Sequence, residues 1–301
     1  MKKYARNLVV AAALIGAAFP VFADYQQGLK AYRGGDYTNA LRQFSADAAK
    51  GSAAAQNDLG VMYEKGQGVP VNFEQAFAWY KKSADQGFAP AQTSLGYLYS
   101  EGLGVSRDYA QAMVWNRKAA DQNFAQAFNN IGTLYENGQG VPADLIVAAD
   151  WYRKAADLGS ASGQTNLGFL YARGRGVAKD DAMAVSLYRK AAEQNFPLAL
   201  NNLGFMTAEG RGTQQDYPAA AELYRKAAVL KSGRAQLNLA KLYEEGKGVP
   251  KSNDRALALL LESAKDGYKP AMRRLSQVYA KGELGQKVDV EKSQQWELKG
   301  R

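Results

Sequence analysis

Apolar and small residues recur along this chain at helical spacing, and the pattern itself returns every 36 residues. Residues 89–124 give the clearest copy. Ala91, Leu95, Leu98 and Tyr99 stand at i, i+4, i+7 and i+8, which is one apolar stripe of a helix. Glu101-Gly102-Leu103-Gly104-Val105 then interrupts the pattern, because paired glycines adopt backbone conformations that a helix cannot continue. Asp108 is suited to cap a second helix, whose stripe is formed by Ala112, Trp115, Ala119 and Ala120. Each copy is predicted to be helix–loop–helix, with small residues letting the two helices approach closely.

The landmark of the repeat is a Leu-Gly dipeptide: Leu59-Gly60, Leu95-Gly96, Ile131-Gly132, Leu167-Gly168, Leu203-Gly204, Leu239-Ala240 and Leu275-Ser276. Gly-x-Gly comes after it from Gly66/Gly68 to Gly246/Gly248, and Ala76, Ala112, Ala148, Ala184, Ala220 and Ala256 mark the second helix. Trp79, Trp115 and Trp151 are predicted to fill one core position, taken later by Leu187, Leu223 and Leu259. The second helices end at Gly87, Asn123, Gly159, Asn195 and Gly267, residues that tolerate a left-handed backbone, and only Lys231 breaks that series. A fixed period between 20 and 50 residues marks a repeat solenoid, a stack that offers a long concave surface to another molecule.

Asn-Leu-Gly-x-x-Tyr, then Gly-x-Gly-Val, then Trp-Tyr-Arg-Lys-Ala-Ala closely resembles the repeat of the Sel-one-like repeat (SLR) family, in the tetratricopeptide-repeat-like superfamily. The resemblance covers residues 53–268 as six full copies. Residues 25–52 are similar to a short first copy, with Tyr37, Ala40 and Gly51 aligned on Phe73, Ala76 and Gly87. Residues 269–301 read as a capping copy with one extra loop residue. The expected fold is all-α, a right-handed α-solenoid of about eight helix pairs forming one domain over residues 24–301. The fifth copy departs most, with Thr207 in place of Tyr and Thr213 in place of Val, so residues 200–232 are the expected soft spot.

The first 23 residues read as a signal peptide: Lys2, Lys3 and Arg6 precede an apolar run, and Val21-Phe22-Ala23 ends in a small residue. Cleavage after Ala23 would make a bacterial periplasmic or secreted protein. No later segment approaches the roughly 20 apolar residues of a membrane span. With no cysteine there is no disulfide and no acylated cysteine as a lipid anchor, and with no histidine the commonest general base is missing. No cofactor or metal is expected. Without the leader the chain carries a net charge of +6, divided as −2 over residues 24–160 and +8 over residues 161–301. That asymmetry points to an acidic partner near the C-terminal half.

The Gly-x-Gly loops lack the third glycine of a dinucleotide site and any Gly-Lys-Ser/Thr, so they read as inter-helix loops. A basic series on the second helices, Lys81-Lys82, Arg117-Lys118, Arg153-Lys154, Arg189-Lys190 and Arg225-Lys226, reads as a solvated outer face. Lys82, Lys118, Lys154 and Lys190 each have an acid three residues on, and no nucleic-acid partner is expected. The first helices carry the candidate binding residues. Asn130, Asn166, Asn202 and Asn238 recur at 36 residues, at a position that the resemblance turns toward the concave groove. Each amide offers a donor and an acceptor to an extended peptide, or else belongs to the family's packing. Tyr97, Phe169 and Phe205 lie three residues beyond that position, as exposed rings or as core. Arg234, Lys241, Arg273 and Arg274 offer carboxylate clamps on the same face, or a charged end cap. The expected function is an exported, non-catalytic adaptor for a protein or peptide. The alternatives are a scaffold of a cell-envelope complex, or an enzyme acting on envelope glycan or peptide.

Overall fold

The computed structural model describes residues 23–301, so the leader expected over residues 1–23 lies, apart from Ala23, outside the described residues. Among the described residues there are sixteen helices and no strand. They fall into two units, one ending at Asp144 and the other beginning at Leu145. The first unit holds α1 (Ala23–Arg33), α2 (Tyr37–Ala49), α3 (Ala53–Lys65), α4 (Phe73–Asp85), α5 (Ala89–Glu101), α6 (Tyr109–Ala120) and α7 (Ala125–Asn137). The second holds α8 (Leu145–Asp157), α9 (Ala161–Arg173), α10 (Asp181–Glu193), α11 (Pro197–Glu209), α12 (Tyr217–Val229), α13 (Gly233–Glu245), α14 (Asn253–Lys265), α15 (Lys269–Lys281) and α16 (Val290–Gly300). Within each unit, helices next to one another in sequence pack antiparallel as helix–loop–helix pairs, the repeat of an α-solenoid.

The loops obey the sequence signals. Asp108 caps α6 by accepting from the Gln111 N–H, while its own N–H reaches back to the Tyr99 carbonyl at 2.9 Å. The same closure recurs at Asn72 on Tyr63, Asp180 on Tyr171, Asp216 on Thr207 and Ser252 on Tyr243. In Gly102-Leu103-Gly104 the two glycines have different duties. Gly102 ends α5 in the left-handed conformation, and a Cβ on Gly104 would lie 2.2 Å from the Phe73 carbonyl oxygen at the start of α4. The second glycine is therefore where one copy's loop presses on the preceding copy.

The glycine of Leu-Gly has a packing reason that lies outside its own helix. A Cβ on Gly204 would stand 2.8 Å from the ring of Tyr224, and on Gly168 2.9 Å from Tyr188. In the first unit Gly60 faces the Tyr80 ring at 2.6 Å, and Gly28, four residues out of the 36-residue register because the α1–α2 loop is shorter, faces Phe44. Carbon atoms in contact need about 3.5–4.0 Å, so each ring takes the space that a side chain at the glycine would need. In the penultimate pair Ala240 replaces the glycine and Leu260 replaces the tyrosine, both fully buried in one cluster. A methyl group has been added on one helix where a ring has been removed from the other.

This arrangement corrects the tryptophan expectation. Tyr80, Tyr152, Tyr188 and Tyr224 are 1–3% exposed, deeper than the expected position, where Leu187 is buried and Leu223 and Leu259 pack at the edge of the core. Of the tryptophans one position earlier only Trp115 is buried, while Trp79 and Trp151 are half-exposed and carry lysines over their rings. Lys231 also behaves differently from its residue type. It ends α12 with φ 60°, the same left-handed conformation as Asn123 and Asn195.

A double-mutant cycle tests the ring-on-glycine contact. Gly204→Ala should destabilise the protein by about 1–3 kcal/mol through overpacking. Combining it with Tyr224→Leu, the natural Ala240/Leu260 arrangement, should cost at least about 0.5 kcal/mol less than the sum of the single changes in urea unfolding. Strict additivity would refute direct packing.

Candidate interaction surface

The first helix of each pair shows one edge to solvent, and in the second unit that edge carries the sequence candidates. Phe169 on α9 and Phe205 on α11 are 36% and 41% exposed, at equivalent positions of successive copies. Arg173, one turn beyond Phe169, lies over its ring at 5.8 Å. On α13 the same position is Lys241, which is exposed and 3.9 Å from Glu245. Arg234, two turns before Lys241, is exposed and makes no ion pair or hydrogen bond among the described residues. Tyr97, the equivalent in the first unit, is half-buried against the cluster of Tyr80, Leu95 and Trp115.

The asparagines are half-buried and engaged between helices. Asn130 donates to Asn116 Oδ1 at 3.0 Å and accepts from Gln126 at 2.8 Å. Asn116 is the residue that replaces tyrosine opposite Gly96, and its amide also donates to the Ala112 carbonyl at 2.8 Å. In the second unit Asn202 bonds the Tyr188 hydroxyl and accepts from Asn201, and Asn238 donates to Asn201 at 2.9 Å. Asn166 is half-buried as well. Asn130, Asn202 and Asn238 tie their helices to the second helix before them or to a neighbouring first helix. Each amide has four hydrogen-bonding sites, and part of that capacity is already used inside the fold.

The two terminal arginines are also held internally. Arg274 bridges Glu244, at 2.7 Å, and Glu283, while Arg273 donates to the Gly300 carbonyl at 3.0 Å. Burial disfavours the Arg274 charge, but the two carboxylates outweigh it and raise its pKa. Among the described residues, the cations of this edge without a close carboxylate are thus Arg173, over the Phe169 ring, Arg234 and, with a long contact to Glu245, Lys241. The second-helix lysines form a separate face. Lys82, Lys118 and Lys154 lie 4.0–4.3 Å over the tryptophan three residues earlier, and Asp85 is paired with Lys81.

One residue of the asparagine register was not visible as such in the sequence. Asp58 occupies it in the first full copy, accepting from the Tyr25 hydroxyl at 2.8 Å and from Asn57 at 3.1 Å. Burial pushes its pKa up to about 6, against the lowering effect of those two bonds, and the Tyr25 hydroxyl is raised well above its ordinary value by burial and by the Asp58 charge. The folded state therefore binds this proton more tightly than the unfolded chain. Its contribution is present in full below about pH 4 and is lost as pH rises through about 6. Asp58→Asn should accordingly gain stability relative to the unchanged protein between pH 4 and pH 7, measured by urea unfolding across that range. A difference that is flat or shrinks with pH would contradict the assignment.

Seven copies of the Sel1 repeat match the chain, at residues 53–88, 89–124, 125–160, 161–196, 197–230, 233–268 and 269–296. The α1–α2 pair lies before the matched region yet keeps the glycine–ring contact. Among solved structures, c5321, described as a protective antigen of uropathogenic Escherichia coli strains displaying an SLR fold, is 34% identical with a TM-score of 0.63 over 92% of this chain. The match spans 60% of c5321. A Sel1 repeat protein from Oxalobacter formigenes is also 34% identical, with a TM-score of 0.55, over 93% of this chain and 98% of its own. No curated protein matches the chain. With matched repeats from residue 53 to residue 296 and neighbours built from the same unit, the chain belongs to the Sel1 repeat family, whose repeats serve generally as protein–protein interaction modules.

Proposed function

We propose that this chain is an exported, non-catalytic adaptor that binds a protein or peptide along the exposed edge of its first helices, in the second unit. The observation that carries this reading is the pair of exposed rings, Phe169 and Phe205, one repeat apart on α9 and α11. Burying the exposed part of each ring against a partner returns about 1 kcal/mol. Lys241 lies one repeat further in the same register, Arg234 stands two turns before it on α13, and residues 161–301 carry a net +8, so the partner is acidic. By resemblance to tetratricopeptide-type solenoids this edge lines the concave side. The sequence of residues 1–23 supports export, as does likeness to a protein described as a protective antigen. No helix among the described residues is long and apolar enough to cross a membrane. We further propose one continuous domain, since the repeat at 125–160 runs through the Asp144–Leu145 division.

The asparagines take a secondary part in this reading, orienting the edge through their inter-helix bonds. Their replacement is expected to lower stability together with binding. The rings separate the two effects.

Cross-linking in intact cells, followed by mass spectrometry, would identify the partner. Changing Phe169 and Phe205 to Ser together should then lower its affinity by about one to two orders of magnitude while leaving the helical circular dichroism unchanged. Lys118→Glu with Lys154→Glu, on the second-helix face, should have little effect. Loss of binding in the lysine pair with normal binding in the phenylalanine pair would assign the other face.

A further inference from the structure

In the second unit a phenol ring and an arginine repeat as a contact between copies. Arg153 on α8 is paired with Asp150 and faces the Tyr171 hydroxyl on α9, and Arg225 on α12 is paired with Glu222 and faces the Tyr243 hydroxyl on α13. Tyr243 also accepts from Arg255 on α14 at 3.2 Å, and although burial acts the other way, these arginines lower its pKa. Between those two copies the corresponding residues are Arg189 on α10 and Thr207 on α11. The backbone there is unchanged, since the Asp216 N–H still reaches the Thr207 carbonyl at 3.0 Å. Only the ring is missing.

Its place is open. A cavity of about 440 Å³ is lined by Arg189, Leu203, Thr207, Thr213, Ala219 and Leu223, with Gln214, Gln215 and Asp216 at its side. The two residues by which this copy departs from the repeat, Thr207 and Thr213, thus line the same space. Arg189 makes no hydrogen bond or ion pair among the described residues, whereas Arg153 and Arg225 each pair with an acid three residues earlier, a position that is Ser186 before Arg189, and each face a phenol. Gln215 is occupied by the Ala208 carbonyl and Tyr217, and the Asp216 carboxylate by the Ala219 N–H, so Arg189 is the free charged donor of the site.

We propose that this vacancy is a binding pocket for a tyrosine side chain presented by a partner, with the ring between Leu203 and Leu223 and the phenol oxygen accepting from Arg189. The occupant is indicated by the repeat itself. The neighbouring copies fill this register with a tyrosine of their own, whose hydroxyl faces the corresponding arginine. The volume exceeds one ring and falls in the range of pockets that take small ligands, which leaves room for the adjoining peptide backbone. The pocket goes beyond the adaptor reading and does not depend on Phe169 and Phe205.

N-acetyl-L-tyrosinamide serves as the probe, titrated into the whole protein and monitored by amide chemical shifts. Binding should be in about the millimolar range or somewhat tighter, with shifts centred on residues 207–216. N-acetyl-L-phenylalaninamide should bind about three- to tenfold more weakly, because it leaves Arg189 without an acceptor. Arg189→Gln, at an exposed position, should keep the fold and remove most of that preference. Thr207→Tyr should fill the pocket, raise the melting temperature and abolish probe binding. Equal binding of the two probes, the same shifts with acetate alone, no binding up to the solubility limit, or undiminished binding in the Arg189 variant would each overturn the proposal. Success here with failure of the phenylalanine test would move the partner's main contact to this pocket, and the reverse result would leave the adaptor edge standing without it.

Discussion

The structure depends on bare backbone meeting an aromatic ring. A helix cylinder normally keeps its neighbours 8–10 Å away, and side chains on both helices set that distance. Where Gly60, Gly168 and Gly204 expose main chain, the ring of Tyr80, Tyr188 or Tyr224 can lie directly against it. The fully buried alanines Ala76, Ala184 and Ala220 keep the rest of each contact equally close. Glycine inside a helix costs about 0.5–1 kcal/mol relative to alanine, so its recurrence needs a compensating contact, and burying most of a tyrosine ring is large enough to supply one. The Ala240/Leu260 pair solves the same volume problem in the other direction.

That constraint explains why some of the fold could be read from the sequence and some could not. Helix limits, caps and the Gly-x-Gly loops are local, and Asp108, Gly102 and Ala112 act as their residue types predict. The reason for the Leu-Gly landmark is twenty residues further on in another helix, so the dipeptide was visible and its partner was not. Periodicity also could not choose between Trp79 and Tyr80, because both fall near the apolar stripe. The choice is made by the glycine across the interface. Gly28 escaped the register because the α1–α2 loop is four residues shorter than its successors. Lys231 takes the backbone demanded by its position, against its residue type.

The candidate surface was less legible for a related reason. An asparagine repeated at 36 residues is equally compatible with a ligand ladder and with a packing device, and hydrogen-bond partners such as Asn116 for Asn130 come from other helices. Arg274 had the chemistry of a carboxylate clamp, but its carboxylates are Glu244 and Glu283 of the same chain. Spacing alone could not decide whether Phe169 and Phe205 were exposed. The structure leaves both rings open and holds the terminal arginines, so the adaptor reading rests on apolar contact supported by charge. Thr207 and Thr213 looked like defects in the repeat and instead line one cavity beside Arg189.

The copy over residues 200–232 keeps Gly204 against Tyr224 but has Thr207 where Tyr171 and Tyr243 face an arginine of the preceding copy, so its contact with that copy should open most readily. Native-state hydrogen exchange measures this directly, because local protection tracks local opening free energy. Residues 200–232 should exchange faster than the same stretches one repeat earlier and later, 164–196 and 236–268. Equal or slower exchange across residues 200–232 would contradict the account.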